Sequence, residues 1–331
     1  MILAGDIGGT KTNLGLFSVA EGALSSVEQK SFPSRRYASL ESIVDEFLTT
    51  AGRPSIVSAC FGVAGPVVEG HSVTPNLPWV IEAMSLASRL KLDSVGLIND
   101  LESTAYGIAE LRPEEFATLN QGTPETGNAA LVAAGTGFGN ASLFWDGDRH
   151  VPSASEGGHI DFAPRDQFEI SLLRHLIDKH GHVSVERVLS GPGLFNIYDF
   201  LRSTGYAKES PSVVERFKHY DPSSVVSNAA LAGECKMCEK ALDMFASIYG
   251  AAAGNVALLL KAVAGVYVGG GIAPKIIEKL KDGTFMKAFI AKGRLSTLLE
   301  AIPVRVILND KTALLGAARV AARRAGLRPS A

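Results

Sequence analysis

Asp100 is the residue of this chain best suited to acid–base chemistry, because it stands where an apolar run ends. Residues 97–100 (LIND) have the pattern of a buried strand, and a helical pattern follows over residues 101–110. Open α/β sheets bind ligands at the carboxyl ends of their strands. A carboxylate there can accept a proton from a hydroxyl group that Asn99 also orients. The same position equally suits a helix N-cap, which would make Asp100 structural.

A second polar cluster consists of Glu156 and His159, which flank two glycines in the stretch SEGGHID at residues 155–161. A Glu-x-x-His pair can be half of a metal site, but that version normally lies on a helix, and the glycines favour a loop. A carboxylate and an imidazole that converge from a loop suit a ligand with several hydroxyl groups. Glu186 is a third candidate, although it also fits the first turn of a helix capped by Ser184.

One glycine-rich pattern occurs twice, at residues 3–17 (LAGDIGGTKTNLGLF) and at residues 131–144 (LVAAGTGFGNASLF). In each copy a cluster of Gly and Thr separates two apolar runs, which predicts a β-hairpin whose turn closely approaches a neighbour. Backbone N–H groups in such turns, beside Thr hydroxyls, suit phosphate oxygens. The two turns therefore predict a clamp on a polyphosphate, most naturally a nucleotide. Two ordinary glycine hairpins are the plainer interpretation.

The amino-acid sequence of these turns excludes two common nucleotide-binding motifs. A P-loop requires Gly-Lys followed by Ser or Thr and then a helix, whereas here Thr10 separates Gly9 from Lys11 and a strand pattern follows. A dinucleotide fingerprint requires G-x-G-x-x-G at the start of a helix. Asn140 interrupts that pattern in the second copy, and a strand pattern again follows.

A third glycine cluster, Gly269 to Gly271, follows an apolar strand pattern and precedes a helical one. Glycines in this position leave room for a flat ring or a ribose. A tight structural turn explains the same spelling equally well.

The longest helical pattern covers residues 229–261 and is rich in Ala. Gly250 and Gly254 within it allow a close backbone approach, which core packing explains without a ligand. Cys235 and Cys238 share one face of this pattern. No second Cys pair and no Cys/His pair lies near them in the sequence, so we favour packing over half of a zinc site.

Strand and helix patterns alternate along the chain, which predicts an α/β architecture with helices on the sheet faces. The repeated hairpin predicts two related α/β domains. Turn-forming Pro and Gly residues place the change of domain within residues 111–127. We therefore predict a small domain of residues 1–110 and 312–331, to which the last helix returns, and a large domain of residues 111–311.

The amino-acid composition limits which classes of binding partner the chain can have. The chain has 331 residues, of which 46% are hydrophobic, and its 32 Lys and Arg nearly balance its 34 Asp and Glu. No basic stripe indicates nucleic acid as the main partner. No run approaches the roughly 18 apolar residues of a membrane helix, and no signal-peptide pattern stands at the N-terminus. We expect a cytoplasmic protein without membrane association. Three cysteines, an odd and sparse set, argue against a disulfide framework.

Taken in order, these motifs resemble the bacterial glucokinases of the hexokinase–actin–heat-shock ATPase superfamily, in the group that lacks the zinc motif of the repressor and sugar-kinase family. The matching segments are GDIGGTKTNLGLF, PNLPW, INDLESTAYGI, AAGTGFGNASLF, SEGGHIDFAPRD, SVERVLSGPGL, VGGGIAPKI and NDKTALLGAA. The resemblance implies a two-domain actin-like ATPase (ribonuclease H-like) fold with a ligand cleft between the domains. It further implies transfer of the γ-phosphoryl group of ATP to the 6-hydroxyl of glucose, the entry step of glycolysis.

The resemblance also implies a role for each site residue. Asp100 is the expected catalytic base. The expected sugar ligands besides Asp100 are Asn76, Asn99, Glu156, His159 and Glu186. The expected nucleotide-binding residues are Gly8, Gly9, Thr10 and Lys11 in the first phosphate loop, Gly135, Thr136 and Gly137 in the second, and Gly269, Gly270 and Gly271 beside the adenosine. Asp6 is expected near the Mg²⁺ that accompanies ATP, through water, so that no residue is a direct metal ligand.

Two residues depart from the family pattern, and two alternatives stay open. Phe138 and Asn140 replace smaller or aliphatic residues in the second phosphate loop, which would alter nucleotide affinity. The superfamily also contains actin-like and chaperone-like ATPase switches, which need no sugar ligands, and kinases of other hexoses or amino sugars. From the resemblance we expect glucose and ATP as partners, Mg²⁺ as cofactor, and a homodimer.

Overall fold

The computed structural model describes residues 1–74 and 77–327 of the chain. Its strands are β1 (Ile2–Ile7), β2 (Lys11–Ala20), β3 (Ala23–Pro33), β4 (Ser58–Val63), β5 (His71–Val73), β6 (Val80–Glu82), β7 (Gly96–Asn99), β8 (Phe116–Asn120), β9 (Ala129–Ala134), β10 (Phe138–Trp145), β11 (His150–Ala154), β12 (Gly265–Gly269) and β13 (Val304–Ile307). Its α-helices are α1 (Leu40–Thr50), α2 (Ala83–Leu90), α3 (Asp100–Gly107), α4 (Gln167–His180), α5 (Gly191–Ser203), α6 (Pro211–Arg216), α7 (Pro222–Leu231), α8 (Lys236–Leu260), α9 (Ile277–Lys281), α10 (Thr284–Ile290), α11 (Ser296–Ala301) and α12 (Thr312–Arg324). Short 3₁₀ helices cover Ser34–Arg36, Ile108–Glu110, Pro113–Glu115, Val185–Arg187, Ala273–Ile276 and Gly293–Leu295.

The chain divides into two compact units. Unit 1 comprises Met1–Pro113, Val151–Ala154 and Asn309–Ala331, and unit 2 comprises Glu114–His150 and Ser155–Leu308. Each unit is built around its own sheet, with helices on the sheet faces.

The sheet of unit 1 has the strand order β3-β2-β1-β4-β7. β1 and β2 form an antiparallel hairpin in which Ile2 pairs with Phe17 and Ile7 pairs with Thr12. β4 and β7 then extend the sheet as parallel strands. The hairpin predicted from the first glycine-rich pattern is therefore confirmed.

Both faces of this sheet are covered, because neighbouring residues of a strand point to opposite sides. Leu3 of β1 belongs to a buried cluster with Ile43 and Phe47 of α1. Ile2 of β1 belongs to a second cluster with Ala318 of α12. The last helix of the chain thus packs on the sheet that the first strand begins.

The sheet of unit 2 repeats this arrangement. Its strands β10, β9, β12, β13 and β8 lie side by side in that order. β9 and β10 form an antiparallel hairpin, and β12 and β13 extend it as parallel strands. The hairpin predicted from the second glycine-rich pattern is also confirmed.

The long helical pattern over residues 229–261 forms two helices, a correction to the sequence analysis. α7 ends at Leu231 and α8 begins at Lys236. Gly233 between them has φ +68°, a conformation that interrupts a right-handed helix and favours Gly. The Cys235 sulfur then accepts a hydrogen bond from the Cys238 backbone N–H at 3.4 Å, and both thiols are buried. The two cysteines therefore cap and pack the start of α8.

α8 is the central helix of unit 2. A Cβ added to Gly250 would overlap the Phe285 carbonyl of α10, and one added to Gly254 would lie 2.5 Å from the Phe289 carbonyl oxygen. The close approach predicted from these glycines is confirmed. By length and composition alone α8 could cross a membrane, contrary to the sequence expectation, but 67% of its most apolar window is buried inside the protein. Its apolar residues form the core of unit 2.

Candidate functional site

Asp100 lies at the junction between β7 and α3 in unit 1. The N-cap of α3 is Asn99, whose Oδ1 accepts hydrogen bonds from Leu101 N at 2.9 Å and Glu102 N at 3.3 Å. The alternative that Asp100 is the N-cap is therefore wrong. Asp100 is the first helical residue, and its Oδ1 accepts a hydrogen bond from Leu101 N at 2.9 Å. The helix end thus orients the carboxylate, which is half-buried.

α12 holds α3 in place. Ser103 Oγ of α3 donates a hydrogen bond to the Ala313 carbonyl at 2.7 Å. Gly316 of α12 lies directly against the backbone of α3, because a Cβ added to it would overlap the Ser103 carbonyl oxygen. The absence of a side chain at Gly316 therefore lets the two helices touch backbone to backbone. The buried Arg319 of α12 also forms an ion pair with Glu110. The position of Asp100 consequently depends on the last helix of the chain.

Ser34 organises the first glycine turn, and sequence reasoning missed it. Its Oγ donates a hydrogen bond to the Gly8 carbonyl at 2.8 Å, and its backbone N–H donates to the Thr10 carbonyl at 3.0 Å. The Gly8 N–H donates to the Lys11 carbonyl at 2.9 Å and closes the turn. The side chains of Thr10 and Lys11 lie at the surface. Ser34 follows β3, and no local pattern in its own segment marks it.

Asp6 lies on β1 just before this turn. Its Oδ2 accepts a hydrogen bond from Asn13 Nδ2 at 3.0 Å. Burial raises the pKa of the Asp6 carboxyl, the Asn13 hydrogen bond lowers that pKa, and the negative charge of Asp310 raises it. A carboxylate that is buried beside a second acid is stabilised by a cation.

Asn76, the remaining predicted ligand from the first part of the chain, lies outside the described residues.

The second glycine turn joins β9 to β10 in unit 2. The Gly135 N–H donates a hydrogen bond to the Gly137 carbonyl at 2.8 Å. The third glycine cluster lies against this turn, since Gly270 has φ +82° and a Cβ added to it would overlap the Ala134 carbonyl. Tyr249 of α8, which sequence reasoning also missed, hydrogen-bonds Ala134 N and the Gly269 carbonyl, each at 3.2 Å. The two glycine clusters therefore form one continuous edge of the sheet.

Glu186 contacts the second glycine turn directly. Its Oε2 accepts a hydrogen bond from Phe138 N at 2.9 Å, and a Cβ added to Gly137 would overlap this oxygen. Glu186 lies in the short 3₁₀ helix Val185–Arg187, and the Ser184 side chain makes no cap hydrogen bond. The alternative is confirmed in placing Glu186 in the first turn of a short helix after Ser184, but Glu186 is not merely first-turn charge, because its carboxylate binds Phe138 N. Its carboxylate is positioned by the turn.

Glu156 and His159 lie on a loop, as the glycines predict. The His159 N–H donates a hydrogen bond to the Glu156 carbonyl at 3.0 Å. Their side chains are 67% and 62% exposed, with His159 Nε2 3.9 Å from Glu156 Oε2. The Gly158 carbonyl accepts a hydrogen bond from Glu186 N at 3.0 Å, which ties the loop to Glu186. Unit 2 thus brings two carboxylates and an imidazole together beside the glycine turn.

Comparison with known proteins decides the family. A sequence profile described as glucokinase matches residues 3–324. The chain belongs to the glucokinase family. It is 41% identical over 339 residues to the glucokinase of Trichormus variabilis, covering 98% of this chain and 99% of the relative.

Solved structures show the same fold. A glucokinase from an Antarctic psychrotroph superposes with a TM-score of 0.85 at 31% identity, covering 97% of this chain and 98% of that one. A Streptomyces griseus ROK family glucokinase, crystallised with glucose and AMPPNP, has a TM-score of 0.64 at 21% identity, covering 97% and 99% of the two chains. The predicted actin-like ATPase fold is confirmed. The family makes the chain an enzyme, an ATP-dependent hexose kinase.

Proposed function

We propose that this chain transfers the γ-phosphoryl group of ATP to the 6-hydroxyl of glucose. The family match supports the substrates. The observation that carries the site is the Glu186–Phe138 hydrogen bond of 2.9 Å, because it joins the sugar-ligand cluster of unit 2 to the second phosphate turn. An ATPase that does not bind sugar has no need of a carboxylate fixed at this place.

Asp100 is the general base of the proposed reaction. Its carboxylate accepts the proton of the 6-hydroxyl while that oxygen attacks the γ-phosphorus in line. The O6–phosphorus bond forms, the bond from phosphorus to the bridging oxygen of ADP breaks, and ADP leaves with those electrons. Phosphoryl transfer depends mostly on positioning and charge stabilisation, so the turns at Gly8–Thr10 and Gly135–Gly137 carry much of the rate.

The remaining residues hold the substrates. Glucose is bound through hydroxyl contacts by Asn76, Asn99, Glu156, His159 and Glu186. ATP is bound by Gly8, Gly9, Thr10 and Lys11, by Gly135, Thr136 and Gly137, and beside the adenosine by Gly269, Gly270 and Gly271. The half-buried Asn99 uses its Oδ1 on the helix end and donates one Nδ2 N–H to the Gly65 carbonyl at 3.2 Å. The second Nδ2 N–H can therefore serve a sugar hydroxyl.

Mg²⁺ fits the residues near the first turn. Among residues 1–74 and 77–327, no three His, Cys, Asp or Glu side chains form a group able to hold a metal ion alone. Mg²⁺ usually binds through one or two carboxylates together with phosphates and waters. Asp6, with its raised pKa and the nearby charge of Asp310, suits that role through water. The ion would neutralise charge on the phosphates.

Replacing Glu156 by Gln tests the sugar cluster. The amide keeps the shape of the side chain but loses the charge-assisted hydrogen bonds that a carboxylate makes to sugar hydroxyls. We expect the KM for glucose to rise about 10-fold or more, with a smaller change in kcat. The matched control is Glu125→Gln, an exposed acid of the same unit. An unchanged KM for glucose in the Glu156 variant would remove this residue from the sugar site.

The competing function is a nucleotide-operated ATPase switch of the same superfamily, and the effect of glucose on Tm distinguishes the two. A ligand stabilises only the state that binds it, so glucose at about 100 times its Kd should raise Tm by roughly 4 °C. Sorbitol at equal concentration controls for the general effect of polyols. A Tm that responds to ATP but not to glucose would favour the switch.

The enzymatic test compares glucose, fructose, mannose and N-acetylglucosamine in a coupled assay of sugar 6-phosphate with Mg·ATP. A kcat/KM highest for glucose supports the proposal, and preference for another sugar reassigns the substrate within the hexose kinases. Sugar-independent ATP hydrolysis with no sugar phosphate would contradict the proposal. We further propose a cytoplasmic homodimer without nucleic-acid or membrane partners, as the balanced charge and the resemblance imply.

A further inference from the structure

Unit 2 contains a cavity of about 230 Å³ to which the proposed reaction assigns no role. The cavity lies between α8 and residues 160–165, the segment that follows the Glu156–His159 loop. Its walls include the buried side chains of Phe138, Phe162, Ile248 and Val256. Sites for drug-sized ligands measure about 300–1,000 Å³. This cavity therefore suits a smaller molecule with an apolar body.

Lys292 supplies a positive charge to the cavity wall. Its Nζ donates hydrogen bonds to the Ala251 carbonyl at 2.9 Å and to Asn255 Oδ1 at 2.5 Å. No ion pair joins it to a carboxylate among the residues that the structure describes. An ammonium group has three donors, so one donor can serve a bound anion.

Among the described residues that line the cavity, the other charged groups are Arg165 and Asp161, and neither compensates the charge of Lys292. Arg165 is paired with the buried Glu169. Asp161 stands at the rim with its side chain 90% exposed, 2.9 Å from His182 Nε2. Burial and the positive charge of Arg165 lower the pKa of the Lys292 ammonium. A partly buried cation without an acidic partner is stabilised by an anionic ligand.

We propose that this cavity binds a small amphipathic carboxylate, whose carboxylate pairs with Lys292 and whose apolar body contacts Phe138, Phe162 and the buried face of α8. Of the two cations at the wall, Arg165 is already paired with Glu169, so the mainly apolar enclosure selects for an anion at Lys292. It discriminates against neutral apolar molecules, which leave Lys292 unpaired, and against sugars, whose hydroxyls find few partners among these side chains.

The occupant of this cavity modulates sugar binding, a consequence that rests on the proposed function. Phe138 lines the cavity, and its backbone N–H holds the Glu186 carboxylate. Asn140 also lines the cavity, and its Oδ1 accepts a hydrogen bond from Ser155 Oγ at 2.7 Å beside Glu156. These two residues are the departures from the family pattern in the second phosphate loop. Through them a ligand that shifts the wall shifts the sugar-binding carboxylates.

Calorimetric titration of the full chain with octanoate tests the binding site directly and needs no catalytic activity. We expect saturable binding with a Kd of about 1 mM or lower. Lys292→Met should weaken binding about 10-fold or more, because a charge-assisted hydrogen bond is lost. Lys292→Arg should retain it, and 1-octanol should not saturate the site. Absence of saturable octanoate binding to the unmodified chain overturns the proposal.

A second variant keeps the test decisive if Lys292→Met fails to fold. Ala252→Phe fills the cavity from α8, at a half-buried position, and leaves Lys292 in place. We expect a folded protein that no longer binds octanoate. If octanoate binds this variant as it binds the unmodified chain, the ligand lies elsewhere and the proposal is wrong.

The effect of octanoate on glucose phosphorylation is measured in a separate experiment. Octanoate should change the KM for glucose of the unmodified chain about 5-fold or more and should leave that of Ala252→Phe unchanged. Octanoate binding without any effect on KM retains the site and removes the coupling. A chain that phosphorylates no sugar but binds octanoate at Lys292 contradicts only the proposed function.

Discussion

Replacing Asp100 by Asn is expected to lower kcat about 100-fold or more, the typical contribution of a general base, while glucose still binds. The amide has nearly the same shape, and its oxygen can keep the 2.9 Å hydrogen bond from Leu101 N. It cannot accept the proton of the attacking hydroxyl at neutral pH. Steady-state sugar-phosphate formation measures kcat, and calorimetric titration with glucose measures binding.

Glu102→Gln is the matched control for this prediction. Glu102 lies on the same turn of α3, and burial raises the pKa of its carboxyl. Its replacement removes a nearby negative charge without removing the proposed base, so kcat should change little. Near-normal turnover in Asp100→Asn would exclude Asp100 as the base. An equal loss in both variants would instead show that the reaction needs negative charge at this helix end.

Gly316→Ala is expected to destabilise the protein by about 1–3 kcal/mol or more, the range for overpacking a close contact. In an exposed helix interior the same substitution would stabilise by about 1 kcal/mol. Here the added Cβ would overlap the Ser103 carbonyl oxygen and lie 2.7 Å from Gly107 N, both backbone atoms of α3. Whether the free energy of unfolding falls or rises therefore shows whether α3 and α12 are in close contact. Urea unfolding measures it.

Gly52→Ala provides the contrast. Gly52 has φ +74°, and no atom of the described residues lies within 4 Å of an added Cβ, so the substitution costs only backbone strain of about 1–2 kcal/mol. In Gly316→Ala, kcat should also fall in protein that remains folded, because α12 positions the helix that begins with Asp100. A neutral or stabilising Gly316→Ala would mean that α3 and α12 can move apart without loss, and Asp100 would not depend on the last helix.

Local patterns predict the parts of this site that single segments specify. The two clusters of Gly and Thr predict two hairpins, because consecutive residues specify a strand–turn–strand pattern. Gly157 and Gly158 predict the loop that carries Glu156 and His159, since both disfavour a helix. Gly250 and Gly254 predict a close approach to α8. Each of these features depends on residues near one another in the chain.

Where two residue types fit the same local role, the sequence alone leaves the choice open. Asn99 and Asp100 are both residue types that favour the N-cap position. In the structure β7 leads into α3 so that Asn99 occupies that position. Ser184 has the spelling of a cap, but the segment after it forms a single 3₁₀ turn in which Glu186 reaches Phe138 N. The long helical pattern is interrupted at Gly233, which adopts a positive φ that a right-handed helix does not allow and that Gly tolerates.

By itself the sequence determined the family, the repeated hairpins and the chemical types of the candidate ligands, since these depend on residue identity and local spacing. Only the tertiary structure decided which distant residues hold the site together. Ser34 fixes the first turn from 26 positions after Gly8, and Tyr249 joins strands that lie 117 and 20 positions from it. Such contacts arise when separate elements bury their apolar faces against one another, and no local pattern records which partner each polar group then meets.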